Sequence, residues 1–137
     1  MNSFARRRLF HAKAGAKGGK RADLSGLYVR SVWEANTARW LNELKRRGDI
    51  LDWKYEDVEF EFKGIKRGTR FYKPDFHVYE EGREYFIEVK GHLDPKSVTM
   101  LTRMSKYYPD VTVLLLDKKR YAELESEFGH LDNWEKK

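Results

Sequence analysis

The sequence predicts one α/β domain, a mixed β-sheet flanked by helices. Three observations predict it. Segments of helical and of strand periodicity follow one another in the order helix, three strands, helix, strand, helix. The strand segments are short and bounded by Gly and Pro turn signals. The segment Val111 to Leu116 is almost wholly apolar, as suits a strand buried on both faces beside a parallel neighbour. Hairpins between the first strands and one strand–helix–strand crossover give the mixed sheet.

The first helix is expected from Ser31 to Arg47, where Val32, Trp33, Ala35, Trp40, Leu41 and Leu44 fall near helical spacing. Ser31 with Glu34 three residues on fits a capping box, and Gly48 after Arg46 and Arg47 is a stop signal. Val58, Phe60 and Phe62 then alternate with Asp57, Glu59 and Glu61, the period of a half-buried strand. Lys63 to Gly68 reads as a polar turn and Thr69 to Lys73 as a second strand, interrupted at Pro74 and resumed over Asp75 to Tyr79. Glu84 to Lys90 is the third strand, ended by Gly91. Pro95 opens a helix to about Tyr108, with Val98, Leu101 and Met104 on one face, and Lys118 to Phe128 is the last helix, before Gly129.

The chain has 137 residues, 40% of them hydrophobic, and its 8 Phe, 8 Tyr and 4 Trp are enough for a compact core. No apolar run approaches the length of a membrane span, and no apolar stretch follows the N-terminal arginines, so neither a spanning segment nor a secretory signal is expected. Cysteine is absent. That excludes disulfides, thiolate metal sites and thiol nucleophiles, and suits a reducing cytosol. The net charge is +6, and residues 1–24 carry all of it: Arg6, Arg7, Arg8, Lys13, Lys17, Lys20 and Arg21 against Asp23 alone. The expected organisation is a disordered basic arm over 1–24 and a charge-balanced folded domain over 25–137. A basic arm points to a polyanion, most often nucleic acid; a solvated leader is the other reading. Gly15, Gly18 and Gly19 are no phosphate-binding loop: Lys20 is followed by Arg21 rather than Ser or Thr, and no strand precedes them. No nucleotide cofactor is expected.

The chemistry sits in Lys73-Pro74-Asp75-Phe76 and Ile87-Glu88-Val89-Lys90-Gly91. Glu88 and Lys90 lie two apart on a strand and so share a face, roughly 6–7 Å apart along the backbone. A hairpin can bring Asp75 beside Glu88. Two carboxylates suit a hard divalent cation, and a lysine beside them can orient a water or neutralise a developing anion. Each also has an ordinary reading: Asp75 as a turn acid, Glu88 and Lys90 as a solvated pair, Glu34 as a cap partner. His77 shares the parity of Asp75 but reads as a half-exposed strand residue, and His92 follows the motif within reach of a phosphate. Arg70, Lys73 and Lys96 lie near the locus in sequence and are candidate phosphate contacts.

In this order and wording the two stretches resemble the PD-(D/E)XK, or restriction-endonuclease-like, nuclease superfamily. Tyr72-Lys73-Pro74-Asp75-Phe76 with Phe86-Ile87-Glu88-Val89-Lys90-Gly91 looks most like the phage endonuclease I enzymes, small Holliday junction resolvases. Transposon-end nucleases share a similar string. The resemblance implies a restriction-endonuclease-like fold over roughly residues 27–117 and a Mg²⁺- or Mn²⁺-dependent endonuclease. Asp75, Glu88, the Val89 carbonyl and Glu34 would serve the metal, and Lys90 would act on the attacking water. Cleavage would leave 5′-phosphate and 3′-hydroxyl ends. DNA, branched DNA included, would be the substrate, a homodimer the assembly and the host bacterial cytoplasm the location. A non-catalytic DNA-binding module that keeps the fold is the rival reading.

Overall fold

The computed structural model describes residues 17–136. The architecture is α/β. Among the described residues there are eight strands: β1 (Gly19–Arg21), β2 (Leu27–Val29), β3 (Asp52–Tyr55), β4 (Phe60–Glu61), β5 (Phe71–Tyr72), β6 (Phe76–Glu80), β7 (Arg83–Val89) and β8 (Val113–Leu116). The helices are α1 (Val32–Arg47), α2 (Pro95–Tyr107) and α3 (Lys118–Phe128), with a short 3₁₀ turn at Ala22–Leu24. The main sheet runs β3-β6-β7-β8. Its first three strands are antiparallel, and β8 lies parallel to β7, reached through α2.

Alternation along β6 and β7 gives the sheet its two covered faces. Phe76, Val78, Tyr85 and Ile87 turn toward Ala35, Ala38 and Leu41 of α1 and Tyr121, Leu124 and Phe128 of α3 in one buried cluster. On the other side a smaller cluster joins Phe62 and Tyr72 to Met100 and Met104 of α2. The helix limits follow local chemistry. Ser31 Oγ accepts the Glu34 N–H at 3.1 Å, Asp94 Oδ1 that of Ser97 at 2.8 Å, and Asp117 Oδ1 that of Arg120 at 2.9 Å. Gly48 ends α1 at φ 84°, the left-handed conformation glycine adopts without strain.

Three expectations need correction. The alternating run 57–62 is no strand of the main sheet; only Phe60–Glu61 is extended, paired with Phe71–Tyr72 as a separate hairpin. Phe62 and Tyr72 have the α2 methionines to bury against, so the hairpin leans on α2. The strand that takes its place, β3, pairs Trp53 with Val78 and Tyr55 with Phe76. Val111 to Leu116 is extended only from Val113, and Leu114 is 41% exposed; β8 is the edge strand and has one neighbour.

The arm expected over 1–24 is folded from Gly19 onward. Gly19–Arg21 pairs with β2, Leu24 enters the main core, and Arg21 Nε lies 2.6 Å from Glu135 Oε2. Arg6, Arg7, Arg8 and Lys13 lie outside the described residues. Buried Arg39 closes this region: it meets Asp23 Oδ2 and Glu135 Oε2, each at 2.8 Å, and Asn36 Oδ1 at 2.9 Å. The hydrogen bond from Arg39 holds the Asp23 carboxyl below its ordinary 3.8 despite partial burial. Burial works against the charge of Glu135, but Arg21 and Arg39 outweigh it and bring it below 4.5.

Both acids therefore ionise more readily in the folded chain. The stability they contribute is present above their ordinary values and is lost as pH falls through the lower folded ones. Replacing Arg39→Met is expected to lower the unfolding free energy by about 2–3 kcal/mol at pH 7, the cost of stranding buried partners discounted for their part-exposure. The difference from wild type should shrink at pH 3. Urea unfolding at the two pH values measures both.

Candidate active site

The proposed site residues lie at one end of the main sheet, where three ladders finish. Phe76 is the last residue of β6 paired with β7, and its partner is Ile87. Continuing that register puts Asp75 opposite Glu88. Asp75 is 3% exposed, and its Oδ2 accepts the Val89 N–H at 2.8 Å. The side chain thus takes over from the backbone where β6 ends. The Asp75 carbonyl accepts the Glu56 N–H at 2.9 Å just past β3. Glu56 holds a left-handed φ of 50°, a conformation a non-glycine residue adopts at a cost. Its guanidinium partner is Arg30, which binds both carboxylate oxygens.

Glu88 is half-buried at the end of β7, and its Oε1 accepts the Tyr72 hydroxyl at 2.8 Å. Glu34 is buried in the first turn of α1. Its backbone serves the Ser31 cap, but its carboxylate does not turn back to Ser31. Oε1 accepts the Tyr55 hydroxyl and, at 3.3 Å, the Arg30 N–H. The cap and a role in the site are therefore compatible, since different atoms of Glu34 perform them. Helix and strand are also pressed together. Trp33 precedes Glu34, Gly91 follows Lys90, and a Cβ on Gly91 would lie 3.1 Å from the Trp33 ring. A glycine at 91 allows that approach.

Two phenols stand beside these carboxylates. The Tyr72 hydroxyl is pushed far up by burial, then by the charge and hydrogen bond of Glu88, with Asp75 adding to it. Burial also pushes Tyr55 far up, followed by the charge and hydrogen bond of Glu34; Arg30 opposes the shift and Asp75 adds to it. Asp75 is the charge that both phenols feel. The phenols stay protonated and donate to the carboxylates beside them.

Lys90 continues the ladder beyond β7, its N–H donating to Leu116 O at 3.1 Å. Its ammonium stands at the rim with the side chain 35% exposed, 3.9 Å from Asp94 Oδ2. Among the described residues no group of three His, Asp or Glu side chains converges to hold a metal ion. Like charges drawn that close without a cation repel, and here tyrosine hydroxyls take oxygens of Glu34 and Glu88 instead. Carboxylate and backbone carbonyl oxygens are the donor types that Mg²⁺ and Mn²⁺ take.

His77 lies on the face of Asp75, one pleat further along β6. It is committed elsewhere: Nδ1 is 3.2 Å from both Asp57 oxygens and 3.0 Å from the Tyr79 hydroxyl, and the ring stacks on Phe86. It is buried rather than half-exposed. Arg70, Lys73, Lys96, Lys17, Lys20 and His92 are exposed, whereas Arg21 is engaged with Glu135. Sequence reasoning missed Tyr55, Tyr72 and Arg30. A signal existed for the first: Trp53 and Tyr55 alternate with Asp52 and Lys54, as a strand requires.

No protein-family model matches the chain, and no curated protein resembles it significantly.

The tie from Asp75 to Val89 has a measurable structural consequence. Asp75→Ala leaves a strand-end N–H without its acceptor and is expected to cost about 1–3 kcal/mol, while Asp75→Asn, which keeps a carbonyl oxygen, costs under about 1 kcal/mol. Thermal and urea unfolding of the two variants test this ranking; equal effects, since both remove the charge, would show that the charge matters more than the acceptor.

Proposed function

We propose that the chain is a divalent-metal-dependent DNA endonuclease of the PD-(D/E)XK type, with the structure-selective, junction-resolving enzymes as its nearest functional class. The observation that carries the reading is the meeting of Asp75 and Glu88 on adjoining strand ends, with Lys90 beyond them and Glu34 in the same electrostatic locus. The order helix, three antiparallel strands, helix, parallel strand supports it, as does the wording of the two motif stretches.

In this reading Asp75, Glu88, the Val89 carbonyl and Glu34 hold Mg²⁺ or Mn²⁺. When bound, such an ion lowers the pKa of a water and polarises a phosphoryl oxygen. The remaining work falls to the chain. Tyr72 donates to one oxygen of Glu88 and fixes the rotamer of that carboxylate; Tyr55 and the Arg30 N–H do the same for Glu34. The Val89 N–H fixes the Oδ2 oxygen of Asp75. Lys90, at the rim and only loosely held by Asp94, is placed to orient the attacking water and to neutralise charge gathering on the phosphate. Arg70, Lys73 and Lys96 are exposed cations for the flanking phosphates. Two coordinated cuts on a junction require two such sites, which a symmetric dimer supplies.

A second reading is favoured by the tyrosine hydroxyls on Glu34 and Glu88: a DNA-binding module whose carboxylates are structural. One experiment separates them. Supercoiled plasmid and a four-way junction are incubated with the chain in Mg²⁺, in Mn²⁺ and in chelator. The nuclease reading expects metal-dependent cutting that falls at least about 100-fold in Lys90→Ala and Asp75→Asn, as loss of an electrostatic catalytic group does, with DNA affinity retained. Salt-sensitive binding without cutting in either metal establishes the second reading instead.

A further inference from the structure

Beside the site lies a basic segment of which the proposed mechanism uses only Arg70 and Lys73. Residues 62–74 contain Lys63, Lys66, Arg67, Arg70 and Lys73 and no acid. All five cations are exposed. They lie on the loop and outer strand of the β4–β5 hairpin, whose base adjoins the carboxylates: Tyr72 of β5 donates to Glu88.

A run of charge is often no more than a solvated turn, but this one is mounted on a fixed support. Phe62 is 1% exposed and Tyr72 5%, both packed with Met100 and Met104. The Phe62 N–H donates to Arg70 O at 2.8 Å, the Tyr108 hydroxyl to Glu61 O at 2.7 Å, and Arg103 to the Thr69 carbonyl. Gly64 and Gly68 take φ values of 89° and 74°, which turn the loop sharply at both ends. The cations are therefore presented on a braced loop, their charge not offset within the segment.

The second observation is Phe71. It alternates with Tyr72, so one ring points in and the other out, and Phe71 is 47% exposed. The Arg70 guanidinium lies 5.5 Å from its ring centroid. Glu61 stands opposite Phe71 in the hairpin register, a carboxylate that disfavours a phosphate beside the ring but not a base. An exposed aromatic ring bordered by cations on the loop side is the chemistry that holds an unstacked base and its backbone.

We propose that the β4–β5 hairpin is a reading surface for unpaired DNA: Lys63, Lys66, Arg67 and Arg70 hold backbone phosphates, and Phe71 stacks on an unpaired base. This deepens the nuclease reading and rests on it for one point alone, that the strand so held leads to the cut at Asp75 and Glu88. The substrate class is then DNA with a splayed or unpaired nucleotide beside the scissile phosphate, rather than uninterrupted duplex.

The test uses the full chain and three fluorescent DNAs of equal length: a single strand, a duplex and a splayed fork, each titrated over a series of salt concentrations without metal. The triple variant K63Q/K66Q/R67Q is expected to weaken binding to all three and to reduce the slope of log affinity against log salt by about 2–3. Phe71→Ala is expected to weaken single-strand and fork binding about tenfold and leave duplex binding unchanged; Phe71→Trp should restore it. Quenching of 2-aminopurine at the unpaired position should vanish in Phe71→Ala alone. All four positions are exposed, and a melting curve for each variant confirms folding. If the wild type prefers duplex, or if Phe71→Ala changes the three affinities equally or not at all, the proposal is overturned. Cleavage in Mg²⁺ is scored separately. Intact hairpin effects with no cutting refute the nuclease reading alone, whereas cutting of forks at wild-type rate by the hairpin variants refutes the reading surface alone.

Discussion

The Asp75 carboxylate, accepting the N–H of Val89, is the constraint on which the candidate site depends. Antiparallel pairing of β6 with β7 ends at Phe76 and Ile87 because Pro74 has no N–H to continue the ladder. A side-chain oxygen at Asp75 then satisfies the next donor at 2.8 Å. This keeps the strands together for one more residue and holds Glu88 beside Asp75. It also determines where Lys90 begins, since the parallel ladder to β8 carries that residue beyond the antiparallel one. A buried charge at 3% exposure is costly unless hydrogen-bonded. The Val89 N–H meets part of that cost as a backbone donor.

The tyrosines explain how three acids are gathered without a cation between them. Each of the two outer carboxylates receives a neutral donor, Tyr55 for Glu34 and Tyr72 for Glu88. A neutral donor satisfies a carboxylate oxygen by hydrogen bonding without adding a charge of opposite sign. Arginine at the same positions would have neutralised the acids outright. The Arg30 guanidinium is directed at Glu56, and it meets the site at the Tyr55 hydroxyl, 3.2 Å away. Negative potential is thereby concentrated at the strand ends, while the basic hairpin and the exposed Lys73 border it.

The backbone placement of Asp75, Glu88 and Lys90 was more legible in the sequence than the pairing of the strands around them, for a physical reason. Asp75, Glu88 and Lys90 are placed by short-range rules: strand parity, a proline that ends a ladder, a glycine that ends a strand. Those rules act over two or three residues. The errors arose where distant partners decide. Alternation over 57–62 is real, but whether Phe60 and Phe62 face the sheet or α2 depends on Met100 and Met104, some forty residues later in the chain. Arg21 reads as a free cation in a basic arm because Glu135, its partner, lies 114 residues away. Asp23, the single acid of that arm, carried the information that was overlooked. It is the residue that ties the arm to Arg39.

The same reasoning separates the charges that belong to the fold from those left for a ligand. Arg21, Arg30 and Arg39 each meet a carboxylate and are part-buried or buried, so their cost of desolvation is met within the chain. Lys63, Lys66, Arg67, Arg70 and Lys73 are exposed on a segment that holds no acid. The folded body takes in those three cations with their acids, whereas these five stay exposed on and beside the hairpin, next to the strand ends that carry Asp75 and Glu88. A polyanion approaching that end finds attraction on the hairpin and repulsion at the carboxylates, unless a divalent cation comes between. Under the proposed nuclease reading, backbone held by the hairpin and metal held by the acids would for that reason be coupled: each would reduce the repulsion that opposes the other.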